Sequence, residues 1–409
     1  MYWKKLSQNQ IKERISDALS KNVDFHEDTI LGIPASHLDE NVFYSKMPFL
    51  KDAPYLTSMI KNPNHIGCHT MAVSEAFFAG TQQLEKELLR ICAEDIFKAE
   101  ANSYDGYVAS GGTEANIQAI WIFRNYFTRE KKASTEAIGI ICSTDTHYSI
   151  YKAANLLNLK IFDIKPSEKT KMVTEKDFLR TLHEAKASGI KYVITIANMM
   201  TTMFGSVDDV NLYATLLRKE NMPFKLHIDG AFGGFVYPFS HQEQTDMTFL
   251  NPVVDSISLD AHKMVQAPYG TGIFLCRKGL MKHVITDQAQ YIEGLDSTLS
   301  GSRSGANAIA VWMILSTYGP HGWYEKIRTL MERKNWLCRQ LDQQKITYYN
   351  HPYSNIVALN ANYVPLSLAN KFGLVPDKHD SPPAWYKIVI MEHVTVDILE
   401  MFLEELVNK

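Results

Sequence analysis

The sequence has little of what marks disulfide-bonded, zinc-binding or membrane proteins. Its five cysteines among 409 residues are odd in number, lie far apart and form no CxxC pair. This pattern argues against a disulfide framework and a structural zinc site, and it favours a reducing compartment. No stretch reaches the roughly 18 consecutive apolar residues of a membrane helix, and the first residues lack the apolar run of a secretory signal. We therefore expect a cytoplasmic protein with no membrane partner.

An excess of charge of either sign is also missing. The 42 basic and 45 acidic residues give a net charge of −3, so no basic surplus is available for a phosphate backbone and nucleic acid is not an expected partner. The hydrophobic fraction of 45% and charged fraction of 21% are ordinary for a globular chain and exclude disordered and fibrous classes. The length suits one large α/β domain with a smaller appendage.

The middle of the chain alternates apolar, β-branched runs with helical stretches. Helices are predicted between most of the runs, for example over 114–127 and 210–220. Such alternation is typical of a mostly parallel sheet covered by helices on both faces. The predicted fold class is α/β with a seven-stranded sheet, and its strands are 106–109, 138–142, 160–164, 192–197, 225–228, 256–259 and 272–276.

The two ends of the chain differ from this middle part. Residues 1–65 are polar and broken by prolines, and they are predicted to form an arm against something larger; a long amphipathic helix follows over 72–98. The large domain is expected to span 66–315, and a small C-terminal α/β domain 316–409. The end of the chain is predicted to contain helices over 306–317, 324–343 and 395–407 and a strand over 387–391.

Two charged residues follow neighbouring predicted strands. Lys263 comes just after the strand 256–259, and Asp229 ends the strand before it along the chain. A single lysine after a strand is usually a solvated surface residue. However, the carboxyl ends of the strands are where open α/β sheets bind ligands. A carboxylate and an amine at this one edge suggest a cofactor that needs an anion at one point and an amine at another.

Three further loops at predicted strand ends carry polar groups. Gly111, Gly112 and Thr113 form a turn between a strand and a helix, where backbone amides and a hydroxyl can hold a phosphate. The turn matches neither GxGxxG nor GxxxxGK[ST], so a dinucleotide or nucleotide fingerprint is not supported. His147 follows another strand and can stack on a planar ring, and Thr202 offers a hydroxyl after a fourth.

This order of groups indicates pyridoxal 5'-phosphate as the cofactor. An anionic aspartate keeps a pyridine nitrogen protonated, so that the ring can take up the electron pair of a broken bond at Cα. A lysine holds the cofactor aldehyde as an imine until the substrate amine displaces it. Each residue alone has a plain structural explanation, such as a turn, a helix cap or a packed histidine. Their occurrence together at successive strand ends favours the cofactor.

The chain resembles the group II pyridoxal-phosphate-dependent amino-acid decarboxylases of fold type I, and among them the archaeal-type tyrosine/aspartate decarboxylases. The resemblance covers roughly residues 65–400. The matching segments are Ser110-Gly-Gly-Thr-Glu-Ala-Asn, Asp145-Thr-His-Tyr-Ser, His227-Ile-Asp-Gly-Ala-Phe-Gly-Gly, Ser258-Leu-Asp-Ala-His-Lys-Met, Leu299-Ser-Gly-Ser-Arg-Ser-Gly-Ala and, more faintly, Ile388-Val-Ile-Met-Glu-His-Val-Thr.

The resemblance implies a role for five residues around the cofactor ring. Lys263 would be the Schiff-base lysine, and Asp229 would be the partner of the pyridinium nitrogen. His147 would stack on one face of the ring and Ala231 would pack on the other. Thr202 would approach the ring hydroxyl.

The resemblance also implies how the phosphate is held and how the chain assembles. Gly112, Thr113 and His262 would bind the phosphate within one subunit. Ser302 would reach the phosphate of a neighbouring subunit, accompanied by Arg303, since active sites in this family lie at the interface of a homodimer.

The implied reaction removes the α-carboxylate of an L-amino acid, such as aspartate, glutamate or a tyrosine-like substrate, and gives carbon dioxide and a primary amine. One alternative keeps the cofactor and cleaves a carbon–carbon bond, as sphingosine-phosphate lyases do, because these also carry a Gly-Ser-Arg segment like 301–303. Another alternative is a non-enzymatic relative, which would have little reason to keep Lys263, Asp229 and His147 together.

The sequence does not choose the substrate. An acidic side chain needs a cation in its pocket, whereas an aromatic one needs an apolar slot. The candidate cations are Lys61, His69, Arg303 and Lys387; the candidates for the pocket from the N-terminal arm are Tyr55, His65 and His69; and Tyr291 is a candidate for protonating Cα.

Overall fold

The computed structural model describes residues 79–287, 294–301 and 303–407, together with Thr29, Leu31, Asp39, Asn41 and Met71. Several residues singled out from the sequence lie outside these described residues, namely Tyr55, Lys61, His65, His69, Tyr291 and Ser302. Their proposed roles remain predictions.

A seven-stranded sheet forms the centre of the large domain, as predicted. Its spatial order is β1-β7-β6-β5-β4-β2-β3. Only β7 runs against its neighbours, β1 and β6, while the other strands are parallel to one another. Each observed strand lies within two residues of its predicted bounds: β1 Tyr104–Ala109, β2 Ile138–Ser143, β3 Lys160–Ile164, β4 Tyr192–Asn198, β5 Phe224–Asp229, β6 Ser256–Asp260 and β7 Gly272–Arg277.

Helices cover both faces of this sheet. Successive residues of β4 enter opposite cores: Ile194 and Ile196 pack on one face, while Val193 and Ala197 pack on the other. This two-residue alternation is the side-chain period of a strand, and burial on both faces explains why the runs are continuously apolar. The helices of this part are α1 Ala79–Arg90, α2 Gly112–Glu130, α3 Ser149–Leu156, α4 Glu175–Ala187, α5 Val210–Lys219 and α6 Tyr237–Ser240.

The described part of the predicted helix 72–98 has two sections. The α-helix α1 ends at Arg90, and a π-helical turn, Ile91–Ile96, continues it. Within the residues that the structure describes, every helix is too short or too polar to cross a lipid bilayer.

A long helix, α7 Gly305–Gln343, leads into the C-terminal part and packs against α1. It is two helices joined at a kink, since Gly319 has a φ of 60° and Pro320 follows it. Proline lacks the amide hydrogen that a helix interior needs. The two helices predicted over 306–317 and 324–343 agree with this break. The predicted boundary between residues 315 and 316 falls just before the kink, and it stays a prediction.

The C-terminal part holds a second, four-stranded antiparallel sheet of order β10-β11-β9-β8. The predicted strand 387–391 corresponds to β11 and the predicted helix 395–407 to α9, but the other three strands and α8 were not predicted. The elements are β8 Tyr348–Tyr349, β9 Ile356–Asn360, α8 Leu366–Lys371, β10 Val375–Pro376, β11 Trp385–Val389 and α9 Val396–Val407.

Candidate active site

The carboxyl ends of parallel strands bring the predicted site residues to one edge of the large sheet. Asp229 is the last residue of β5, and Lys263 lies in the turn after β6. The loop after β2 carries His147, and the turn from β1 into α2 carries Thr113. This is the edge at which open α/β sheets bind ligands.

Two adjoining hollows at this edge contain the predicted residues. The larger is a cavity of about 270 Å³, and the smaller is a cleft that shares three lining residues with it. Of the nine predicted cofactor-binding residues, the eight that the structure describes line one hollow or both. They are Gly112, Thr113, His147, Thr202, Asp229, Ala231, His262 and Lys263.

Asp229 is buried and held by two donors, with a serine hydroxyl nearby. Asn116 Nδ2 donates to its Oδ2 at 2.8 Å, the Ala231 amide donates to Oδ1 at 3.1 Å, and Ser258 Oγ lies 3.5 Å from the same Oδ1. A carboxylate that accepts several hydrogen bonds has a fixed orientation. Its side chain is therefore set in place by the fold.

Asp260, which was not predicted, links the lysine to the glycine turn. Its Oδ2 lies 3.3 Å from Lys263 Nζ and 3.7 Å from His262 Nε2, and its Oδ1 accepts from the Gly112 amide at 2.5 Å. A Cβ on Gly112 would lie 2.8 Å from Asp260 Oδ2 and 3.1 Å from Ala231 Cβ. Glycine is required at 112 because of this close approach, and its amide hydrogen is already taken by Asp260.

His147 is held by Ser149 at the start of α3. Its Nδ1 lies 2.9 Å from Ser149 Oγ and 3.3 Å from the Ser149 amide nitrogen. Burial lowers the pKa of His147, and the charge of Asp229 partly offsets this effect, so the ring is neutral near pH 7. The ring of Tyr148 lies beside it at 4.1 Å between centroids.

The phosphate end of the site passes a simple test of fit. Among the described residues no group hydrogen-bonds to His262 Nδ1, although this atom is buried, and buried nitrogen atoms normally have a partner. The Thr113 hydroxyl lies at the N-terminus of α2, where anions are favoured. An unpaired buried imidazole nitrogen beside a helix N-terminus fits a phosphate, while Asp229 and Lys263 fit the two ends of the ring.

Lys387, one of the candidate cations, lies next to this site. Its Nζ donates to the Thr202 carbonyl at 3.1 Å, and Thr202 lines the smaller cleft. Burial, together with the positive charge of Lys263, lowers the pKa of Lys387 to about 8. The chain thus places a second, buried ammonium close to the predicted imine lysine.

Arg303, another of the candidate cations, lies outside the two hollows. Its guanidinium forms a buried ion pair with Glu85 on α1 and donates to the Val108 carbonyl at 3.2 Å. It also lies 5.1 Å from the centre of the Tyr107 ring. These contacts hold the segment next to Ser302 against α1 and β1, and Arg303 lines neither hollow.

Comparison with known proteins agrees with this geometry. The model of the pyridoxal-dependent decarboxylase conserved domain matches residues 5–350. The chain belongs to this family. It is therefore a pyridoxal-phosphate-dependent amino-acid decarboxylase, and the resemblance drawn from the sequence is confirmed.

Relatives in this family differ in their similarity to the decarboxylase. It is 49% identical to a tryptophan decarboxylase of Clostridium sporogenes over 406 residues, covering 99% of this chain and 97% of the relative. It is 30% identical to a probable L-tyrosine/L-aspartate decarboxylase of Methanosarcina barkeri, covering 90% and 97%. It is also 30% identical to an L-aspartate/L-glutamate decarboxylase of Pyrococcus horikoshii, covering 80% and 82%.

Solved structures share the fold at low sequence identity. L-methionine decarboxylase from Streptomyces sp. 590 superimposes with a TM-score of 0.78 at 19% identity, covering 98% of this chain and 95% of that one. The sphingosine-1-phosphate lyase of Burkholderia pseudomallei gives 0.80 at 18% identity, covering 100% and 91%. These matches show the fold, and they do not distinguish decarboxylation from carbon–carbon cleavage.

Proposed function

We propose that this decarboxylase acts on an aromatic L-amino acid, with L-tryptophan as the preferred substrate, and releases carbon dioxide and the corresponding amine. The observation that carries the proposal is the 49% identity over nearly the whole chain to a tryptophan decarboxylase, against 30% to the aspartate and tyrosine enzymes. Tryptophan was absent from the substrates expected from the sequence, which were aspartate, glutamate or a tyrosine-like amino acid.

The distribution of charge around the site supports a substrate with a neutral side chain. Among the described residues that line the two hollows, the one lysine or arginine is Lys263, and burial lowers the pKa values of the two histidines, His147 and His262. Lys263 is required for the imine and His262 is suited to the phosphate. Lys387 behind Thr202 then remains for the α-carboxylate that every amino acid carries, and Arg303 is already paired with Glu85. This arrangement leaves no described cation for a second carboxylate.

Each residue then has a role toward the cofactor and the substrate. When bound, pyridoxal phosphate supplies a ring that takes up the electrons of the broken Cα–carboxylate bond. Asp229 would hold the proton on the ring nitrogen, and His147 and Ala231 would confine the two ring faces. Lys387 would orient the α-carboxylate, and Thr202 would face the ring hydroxyl.

The phosphate contacts and the assembly complete the proposal. Thr113 and His262 would hold the phosphate, and Gly112 would leave the space that the turn needs. We place the active sites at the interface of a cytoplasmic homodimer, with Ser302 reaching the neighbouring site. Two tyrosines near the site support an interface there, since Tyr148 is 58% exposed and Tyr269, which packs on His262, is 64% exposed. Exposed aromatic side chains are typical of interaction surfaces.

A substrate screen with purified holoenzyme tests this function. Carbon dioxide release is measured for tryptophan, tyrosine, phenylalanine, aspartate and glutamate, with Lys263→Ala as the inactive control. The highest kcat/KM is expected with tryptophan, and the two acidic substrates are expected to give little activity. A preference for aspartate or glutamate would contradict the proposed substrate. Aldehyde without carbon dioxide from a phosphorylated amino alcohol would support the lyase alternative.

A further inference from the structure

Asn116 lies at the centre of the hydrogen bonds beneath the cofactor site, and its sequence position alone predicted no role for it. It is on the first turns of α2 and is 1% exposed. Its Nδ2 donates to Asp229 Oδ2 at 2.8 Å and to Ser149 Oγ at 2.9 Å. Its Oδ1 lies 2.8 Å from His227 Nε2 and 2.7 Å from Ser258 Oγ. A side-chain amide has two donor hydrogens and two acceptor lone pairs, so all four are used.

The chemistry of the partners fixes the direction of every bond. An ionised carboxylate only accepts hydrogen bonds, so the amide nitrogen of Asn116 must face Asp229. The amide oxygen then faces His227, which must carry its proton on Nε2 and accept from Ser256 Oγ through Nδ1 at 2.8 Å. His227 is suited to this neutral form, because burial lowers its pKa to about 4.

The second hydrogen of the Asn116 amide group connects it, through Ser149, to His147. Ser149 Oγ accepts from Asn116, so its own hydrogen is available for His147 Nδ1. The Ser149 amide hydrogen also points to that nitrogen. His147 Nδ1 is therefore an acceptor on both counts, and the neutral ring carries its proton on Nε2. The same amide thus touches the pyridine partner directly and the ring-stacking histidine through one serine.

We propose that Asn116 is a positioning residue, which orients the Asp229 carboxylate toward the cofactor nitrogen and, through Ser149, fixes His147 in its Nε2–H tautomer. One buried amide would thus fix the orientation of both the Asp229 carboxylate, at the edge of the cofactor ring, and the His147 ring, at its face. The inference concerns the protein side of the site and does not depend on which amino acid is the substrate. Neither of its tests uses substrate, so its failure and that of the proposed function are distinguishable.

The first test measures the tautomer of His147 in the apoprotein. The chain is labelled with 15N-histidine, and the His147 resonances are assigned from their loss in His147→Gln. The wild type is expected to show a proton on Nε2 and none on Nδ1. In Asn116→Ala the Ser149 hydroxyl is no longer oriented by Asn116 and can accept from His147, which leaves only the longer 3.3 Å contact from the Ser149 amide to favour the Nε2–H tautomer, so a larger share of the Nδ1–H tautomer is expected. Protonated Nδ1 in the wild type, or an unchanged spectrum in Asn116→Ala, would overturn the proposal.

The second test measures the dissociation constant of pyridoxal phosphate by titrating the apoprotein. Asn116→Ala is expected to bind the cofactor at least about tenfold more weakly, the cost of losing a hydrogen bond to a charged group. Ser149→Ala keeps the hydrogen bond between Asn116 and Asp229. The affinity of this variant for pyridoxal phosphate should therefore stay within about twofold of the wild type, while its His147 resonances shift. This milder variant keeps the proposal testable if Asn116→Ala does not fold.

Asn125→Ala is the matched control for the cofactor titration. Asn125 is on the same helix and donates to the His283 carbonyl at 2.9 Å, away from the cofactor site. Its loss should leave cofactor affinity and the His147 tautomer unchanged. If Asn125→Ala weakens the cofactor as much as Asn116→Ala does, the effect comes from α2 as a whole, and the positioning role of Asn116 is rejected.

Discussion

At the scale of the residue, two lysines near the site have different proposed roles. Lys263 is paired with Asp260, and Lys387 is buried against the Thr202 carbonyl. A buried ammonium is costly unless it has an anionic partner, and in the described part of the chain no carboxylate forms an ion pair with Lys387. A substrate carboxylate is a partner that would compensate this burial.

Replacement of Lys387 tests this role. Lys387→Met is expected to lower kcat/KM by about tenfold or more, mainly through a higher KM, because a charge-assisted hydrogen bond to the substrate is lost. Lys387→Arg keeps the charge and should retain most of the activity. Equal losses in both variants would show that packing at this position, and not its charge, is required.

The pH dependence of the same residue gives an independent check. The pKa of Lys387 is lowered to about 8, so the side chain is charged below this pH and loses its charge as the pH rises through it. Substrate affinity should therefore fall above pH 8. In Lys387→Arg the cation stays protonated, so the fall attributable to residue 387 should disappear. The measurement is kcat/KM from pH 6 to 10 for both proteins, and superimposable profiles would contradict the assignment.

At the scale of the element, the phosphate turn depends on the packing of β7 beside β1. Ala109 pairs with Gly272 across these strands. A Cβ on Gly272 would lie 2.5 Å from the Gly111 backbone, which is too close for any side chain. The turn that precedes α2 is therefore positioned by a glycine on a strand more than 150 residues away in sequence.

Gly272→Ala is expected to displace the turn and to weaken cofactor binding by about tenfold or more, because its added Cβ meets backbone that cannot rotate away. Gly322→Ala on α7 is the matched control. There a Cβ would meet Tyr318 at an ordinary 3.6 Å, and alanine favours a helix by roughly 1 kcal/mol over glycine. Cofactor titration and thermal unfolding of both variants make the comparison. Undiminished cofactor affinity in Gly272→Ala would refute the packing argument.

The strands also show which elements of the fold could be predicted from the sequence and which could not. The central strands were predictable because most of them are apolar runs that are buried on both faces, such as Ile138–Ser143, although Lys160–Ile164 is partly exposed. The strands Tyr348–Tyr349 and Val375–Pro376 have only two residues each, which is too short for a periodicity. Ile356–Asn360 was missed although its apolar run resembles the others.

Only part of the site could be predicted, because some of its residues are marked by their position in the sequence and others only by their contacts in the fold. Asp229 and Lys263 are marked by position, since Asp229 ends one buried strand and Lys263 lies in the turn after the next. Asn116 and Asp260 lie within the matching segments, but their roles depend on which atoms face which partners. Asn116 meets Asp229 across 113 positions of sequence, and no spacing rule encodes such a contact. Lys387 was found only as one of several cations, because its distance from the site is a property of the fold.

At the scale of the whole molecule, the proposed sharing of active sites between two subunits can be tested by mixing two variants. If Ser302 acts on the phosphate of the neighbouring subunit, Lys263→Ala and Ser302→Ala should each be inactive or weakly active alone. A heterodimer of the two has one site in which both mutations fall together and one site with both residues intact. Mixing after reversible dissociation should restore activity at that intact site. No restoration despite demonstrated heterodimers would place Ser302 in its own subunit's site.

Two neutral histidines, one buried and one half-buried, should make the whole molecule sensitive to acid. Burial lowers the pKa of both His227 and His351 to about 4, whereas an unfolded histidine titrates near 6.5. Between these values the unfolded chain binds more protons than the native one, so stability falls as the pH falls. Each histidine can cost as much as about 3 kcal/mol by pH 4.

His351→Gln isolates one of these contributions, since His351 lies outside the cofactor site. The free energy of unfolding from denaturant titrations at pH 7 and pH 4.5 should fall less in this variant than in the wild type. The difference corresponds to about one proton fewer taken up on unfolding. Equal losses of stability in the two proteins would show that His351 is not held neutral in the native state.

The central claim is that the Lys263 amine, at the strand end beside Asp229, carries the cofactor. Borohydride reduction of the holoenzyme makes the link between lysine and cofactor permanent, and mass spectrometry of the peptides then locates it. We expect one phosphopyridoxyl group per chain, on Lys263, in the wild type and also in Lys387→Met. A label on Lys387 or on any other lysine, with Lys263 unmodified, would contradict it.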